Sequence, residues 1–168
     1  MVIGGGERAS IWAWELTAPD GPLVSLNNVN LIVGHSYEGF RELKQRCDVF
    51  GGKAYQGLGQ FELSQKMSSS TCALITGGMI VYEALSMGVP TIVFPQVENL
   101  PPEAQWFESQ GAIINLGFNG GMDMGMVKDE LSKLINNHDL MQSLSKVSRK
   151  IIDGHGMARA VEAIRTLI

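Results

Sequence analysis

The sequence predicts an α/β domain: a Rossmann-like parallel sheet with helices on both faces. Three observations carry this expectation. Short, largely apolar runs recur at residues 29–33, 72–75, 91–94 and 112–116, and strands covered on both faces read as such runs rather than as alternating patterns. Between the runs lie stretches with helical spacing, ended by glycine or proline. Several glycine clusters stand just after the apolar runs. In an open α/β sheet those positions form the carboxyl edge, where ligands bind.

Each element can be justified in order. Val2 and Ile3 precede Gly4-Gly5-Gly6 and read as the tail of a strand, which points to a piece of a longer protein. Ile11, Trp12, Trp14 and Leu16 mark a short helix that Pro19-Asp20-Gly21-Pro22 ends. Residues 29–33 form a buried strand closed by Gly34, and residues 38–45 a helix. Residues 47–50 are expected to be a short strand before Gly51-Gly52, and residues 51–60, with four glycines, a loop. Residues 61–69 are helical. Next come a strand at 72–75, a turn at Thr76-Gly77-Gly78, and a helix at 79–87. Gly88 stops that helix where a left-handed residue is wanted. The strand at 91–94 leads into a polar loop, 95–102, then a helix at 103–110, Gly111 and a last strand, 112–116. After a Gly- and Met-rich loop, 118–125, three amphipathic helices close the chain. Their apolar positions run from Met126 to Ile135, from Leu140 to Ile152, and from Met157 to Leu167. The 168 residues are expected to be one domain.

Composition excludes several functions. Thirteen Lys and Arg against 17 Asp and Glu give a net charge of −4, which argues against nucleic-acid binding through a basic face. No apolar run reaches the length of a membrane span. The chain opens without a basic and apolar leader, and two cysteines make no disulfide framework, so a cytoplasmic protein is expected. The three histidines lie far apart and there is no Asp-x-Asp, so neither a metal nor a cofactor is expected.

Gly4, Gly6 and Ala9 fit the dinucleotide pattern G-x-G-x-x-A. That reading requires an acid at the end of the next strand to hold ribose hydroxyls. Val33-Gly34-His35-Ser36 offers none, so a dinucleotide-dependent oxidoreductase is a lesser alternative. Residues 34–38 miss a nucleophile elbow because Glu38 takes the place of its last glycine. Gly51-Gly52-Lys53 is no phosphate-binding Walker loop, because its spacing fails.

Thr76-Gly77-Gly78 leads straight into a helix. Free N–H groups and the positive dipole end at such a point favour a phosphate. Glu83, on the second turn, is an acceptor suited to ribose hydroxyls. An ordinary turn with a solvent-facing Glu83 fits the same pattern. Gln96, Glu98 and Asn99, following a strand, can read a small polar ligand, or they belong to a solvated loop.

Residues 75–90 (ITGGMIVYEALSMGVP), 95–99 (PQVEN) and 111–117 (GAIINLG) together resemble the donor-binding half of GT-B glycosyltransferases. Within that class the chain is similar to the nucleotide-sugar hydrolases of pseudaminic acid synthesis and the related spore coat polysaccharide biosynthesis proteins. Residues 152–163 (IDGHGMARAVEA) match their closing motif. The resemblance implies a UDP-sugar ligand. It places Gly4, Gly5 and Gly6 near the diphosphate and Gly77 and Gly78 at the phosphates, flanked by Thr76 and Met79. Glu83 would hold the ribose, and Gln96, Glu98 and Asn99 the sugar. The uracil contact would be backbone near residues 61–63. Relatives often carry a hydroxyl residue just after the glycine pair, where Met79 and Ile80 stand here. The resemblance also implies that the catalytic base lies on an N-terminal acceptor half. The chain alone would then bind weakly without turnover. A stand-alone subunit pairing with a separate acceptor protein is the alternative, with residues 126–168 as its partner surface.

Overall fold

The structure is a computed structural model that describes residues 2–3, 7–94, 101–117 and 123–167. Six strands among them form one sheet in which every pairing is parallel: β1 (Val2–Ile3), β2 (Asn30–Val33), β3 (Lys53–Gln56), β4 (Ala73–Ile75), β5 (Thr91–Val93) and β6 (Ile114–Asn115). Their order is β3-β2-β1-β4-β5-β6. The strand order therefore reverses between β1 and β4, the switch point at which doubly wound sheets open a crevice. The helices are α1 (Glu7–Leu16), α2 (Phe40–Val49), α3 (Gln60–Ser68), α4 (Met79–Ser86), α5 (Pro101–Ser109), α6 (Met124–Ile135), α7 (His138–Ile151) and α8 (Gly156–Arg165).

The central strands divide their side chains between two cores, as a doubly covered sheet requires. Leu74 and Ile92 join Trp12, Leu16, Leu31, Leu43, Leu131 and Leu134 on one side. Ala73, Ile75 and Val93 join Val81, Leu85, Phe107 and Ile113 on the other. Leu16, Leu85 and Ile92 are fully buried, each contributing roughly 1.5–3 kcal/mol by leaving water. Asp123 caps α6, accepting from Gly125 and Met126 N–H at 2.8 and 3.2 Å. Asn137 caps α7 through Leu140 N–H at 3.0 Å. Ser148 on α7 donates to the Ala112 carbonyl at 3.0 Å, tying the helix layer to the start of β6.

Two local expectations fail around residue 50. Residues 47–50 are not a strand: Cys47 to Val49 complete α2, whose buried positions Leu43 and Cys47 stand one helical turn apart. Val49 is exposed, so its apolar character marks no core. The stretch 51–60 is not all loop, because it contains β3. This strand pairs only with β2 and buries only Ala54, so it lacks an apolar run. Gly51 and Gly52 consequently sit before β3, at the amino edge, and end α2 instead of lining the ligand edge. Gly57 stands at the carboxyl end. Pro101 and Pro102 belong to α5, not to a loop, since the first turn of a helix does not use the N–H that proline lacks.

Candidate functional site

The carboxyl end of β4 carries the best-defined part of the site. Ile75 is followed by Thr76, which is buried, and then by Gly77 and Gly78 with φ of 110° and 82°. Gly78 is the N-cap of α4, with ψ of −167°. That combination is essentially closed to residues bearing a Cβ. Among the described residues, and apart from its own chain neighbours, no atom lies within 4 Å of where a Cβ on Gly78 would stand. Glycine is needed here for the backbone path, and the described residues leave the space above it open. Glycine offers no side chain to cap the helix, so the first turn of α4 presents its N–H groups and its positive end.

α4 sorts its own residues by period. Val81, Ala84 and Leu85 are buried against the sheet. Met79 is 74 % exposed, and half-buried Glu83 follows it by one turn on the same outer face. Behind α4 lies a cavity of about 20 Å³ lined by Gly77, Gly78, Val81, Tyr82, Val93, Glu103, Ala104 and Phe107. It has room for about one water molecule. Tyr82 packs edge-on against Phe107, with ring centroids 5.2 Å apart. Burial pushes the Tyr82 hydroxyl pKa up, and the hydrogen bond and charge of Glu103 push it further.

Gly4, Gly5, Gly6, Gln96, Glu98 and Asn99 lie outside the described residues. The strands that lead into them are described: β1 and β5 are the two neighbours of β4, and all three run parallel. The structure thus brings Thr76, Gly77, Gly78, Met79 and Glu83 together beside the switch point. A second loop pair is locked on the far side. The His35 ring lies against Gly57, where a Cβ would overlap it, and Gln56 Nε2 donates to the Tyr37 carbonyl at 2.8 Å. Gly59 then opens α3, its N–H bonded to the Glu62 carboxylate at 3.3 Å, with Phe61 exposed on the first turn. Among the described residues no group of three or more His, Cys, Asp or Glu could hold a metal. No helix among them is long and apolar enough to cross a membrane.

Comparison with known proteins agrees with this geometry. No protein-family model matches the chain. The spore coat polysaccharide biosynthesis protein SpsG of Bacillus subtilis (strain 168) is 30% identical over 169 residues, covering 99% of this chain and 49% of that protein. MurG of Acinetobacter baumannii superposes with a TM-score of 0.74 at 15% identity, over 99% of this chain and 48% of its own. The C-terminal CMP-Kdo binding domain of WaaA from Acinetobacter baumannii superposes with a TM-score of 0.57 at 16% identity, over 90% of this chain and 87% of that domain. The chain has the Rossmann-like fold of a GT-B half. It spans about half the length of its spore coat relative.

In this fold the motif around Gly77-Gly78 was legible because glycine, helix start and strand end coincide in sequence. The Tyr82–Glu103 pair was not. Its two members are 21 positions apart and meet only where the fold brings Tyr82 of α4 against Phe107 of α5. The His35–Gly57 contact was hidden for the same reason, since it joins the ends of β2 and β3.

Proposed function

We propose that this domain binds a UDP-sugar and serves as the donor half of a GT-B-type glycosyltransferase or UDP-sugar hydrolase of surface polysaccharide or nonulosonic acid synthesis. The observation that carries the reading is the Gly77–Gly78 turn, left open above Gly78, at the head of α4 beside the switch point. Backbone N–H groups of the first α4 turn meet the diphosphate, aided by the helix dipole. With Met79 and Ile80 following the glycines, the contact is made by backbone donors alone. Glu83 accepts the ribose hydroxyls. Backbone near residues 61–63 meets the uracil, and Gln96, Glu98 and Asn99 meet the sugar, joined at the diphosphate by Gly4–Gly6.

In the reaction the sugar–phosphate bond breaks and negative charge grows on the departing UDP. Donors already aimed at that charge lower the barrier. A base that deprotonates the attacking hydroxyl or water comes from a second half across the cleft. The domain alone therefore binds without turnover. A dinucleotide oxidoreductase lacks support at the end of β2, where Gly34 and His35 stand in place of a carboxylate.

Titration calorimetry of the chain with UDP and a panel of UDP-sugars tests the reading. Heat that saturates with UDP is expected, and none with NADH. Absence of any heat at millimolar UDP and UDP-sugar would overturn it.

A further inference from the structure

The base end of the proposed site is built differently from its phosphate end. β2 and β3 run parallel in register as far as Val33 beside Gln56, so their carboxyl ends lie side by side. Past that point three fastenings hold the two loops together. Gly57 N–H donates to the Val33 carbonyl at 2.9 Å. Gln56 Nε2 donates to the carbonyls of both His35 and Tyr37, at 3.1 and 2.8 Å. The third fastening is the His35 ring, which lies against the Gly57 backbone where a Cβ would overlap it. The β2 side is the anchor. Tyr37 is buried in the core, and its N–H closes a tight turn onto the Gly34 carbonyl at 3.1 Å. The β3 side is the one that needs holding. Gly57, with φ of 60°, and Gly59 bracket a three-residue connection to α3, and glycine has the most backbone freedom to lose.

We propose that His35 is a positioning residue of the nucleobase end: its ring on Gly57 fixes residues 57–59, and with them the backbone of residues 61–63 that reads the base. This rests on the UDP reading above. His35 is exposed, so its ring adds little buried surface to the fold. What it adds is a wall that only glycine can approach, and that wall sets the backbone path into α3. The chemistry of the base gives the path its importance. Uracil offers an acceptor at O4 beside a donor at N3–H, whereas cytosine presents a donor at N4 beside an acceptor at N3. A backbone N–H and C=O held in fixed places match the first edge and oppose the second. Holding them before the ligand arrives also lowers the ordering cost of binding. The Gly77–Gly78 turn follows β4, which β1 separates from β2. The effect of His35 therefore falls on the base and spares the phosphates.

Titration calorimetry of the chain with UDP, CDP and inorganic pyrophosphate tests this, beside a denaturant melt. His35→Ala should weaken UDP about tenfold and shrink the preference for UDP over CDP. It should leave pyrophosphate binding and the denaturant midpoint unchanged. His35→Phe keeps a flat ring on Gly57 without the imidazole nitrogens, and should restore both the UDP affinity and the preference. Amide hydrogen exchange of residues 57–63 in the ligand-free chain should quicken in His35→Ala and not in His35→Phe. Equal losses of UDP and pyrophosphate would overturn the proposal. So would a His35→Phe chain that behaves like His35→Ala, since the imidazole nitrogens would then act directly. No UDP heat with the unaltered chain would overturn the UDP reading and this proposal with it. Full UDP heat and affinity in His35→Ala would overturn this proposal alone.

Discussion

Both ends of α4 are bounded by glycine, and the two ends are built in opposite ways. At the head, Gly78 takes a conformation closed to other residues, and the described residues leave the space over it empty. At the tail, Gly88 is left-handed with φ of 68°, and the Arg149 side chain from α7 fills the space where a Cβ would stand. Arg149 also donates to the Met87 carbonyl at 3.0 Å, satisfying an acceptor that the helix leaves over. One glycine admits a neighbour that is already there. The other, on the proposed reading, keeps a backbone path open for a phosphate. The same residue type at the same kind of boundary thus packs against a neighbour at one end of α4 and, on the proposed reading, serves binding at the other.

The sharpest way to break this contrast is Gly78→Ala. It should cost up to about 3 kcal/mol of stability through backbone strain and abolish UDP binding, read by calorimetry beside a denaturant melt. Gly88→Ala should cost about 2 kcal/mol, from the left-handed backbone and the displaced Arg149 bond, while UDP heat persists at 15 °C. If both variants lose UDP binding equally, the contrast is wrong. Arg149→Ala combined with Gly88→Ala should cost less than the two singles together, because the singles remove the same contact.

Smaller effects refine the head of the helix. Glu83→Ala should weaken UDP about tenfold, or about 1.4 kcal/mol, and leave uracil binding unchanged. Equal weakening of both ligands would remove Glu83 from the ribose role. The smallest effect concerns α8. The Arg159 hydrogen bonds, then the His155 N–H, hold the Asp153 carboxyl down at about 2. A carboxylate lowered in this way stabilises the folded form above its ordinary pKa and loses that contribution as pH falls through the lowered one. α8 should therefore fray between about pH 4 and pH 2, seen as a slight loss of helical circular dichroism. Asp153→Asn should fray it at neutral pH as well.

Much of the fold was readable because a parallel sheet buries its strands on both faces. Runs such as Leu74–Ile75 and Ile92–Val93 announce themselves without any knowledge of their partners. β3 was missed because an edge strand has little to bury: Lys53 is exposed and only Ala54 is buried. Residues 47–50 are no strand because the buried pair Leu43 and Cys47 carries the helical period through to Val49. Of the candidate site, Gly77, Gly78 and Glu83 were legible because strand end, turn and helix start are adjacent in sequence. The fill over Gly88 and the Tyr82–Glu103 pair were not, since each joins segments brought together only by packing.

The central claim is that the open head of α4 is a phosphate site. A ¹⁵N-labelled chain titrated with UDP tests it most directly, by the backbone amide shifts of residues 77–80. The account predicts that these amides move most, saturably, and that uridine without phosphate moves them little. No shift at millimolar UDP, or the largest shifts at the Gly88 end, would contradict it.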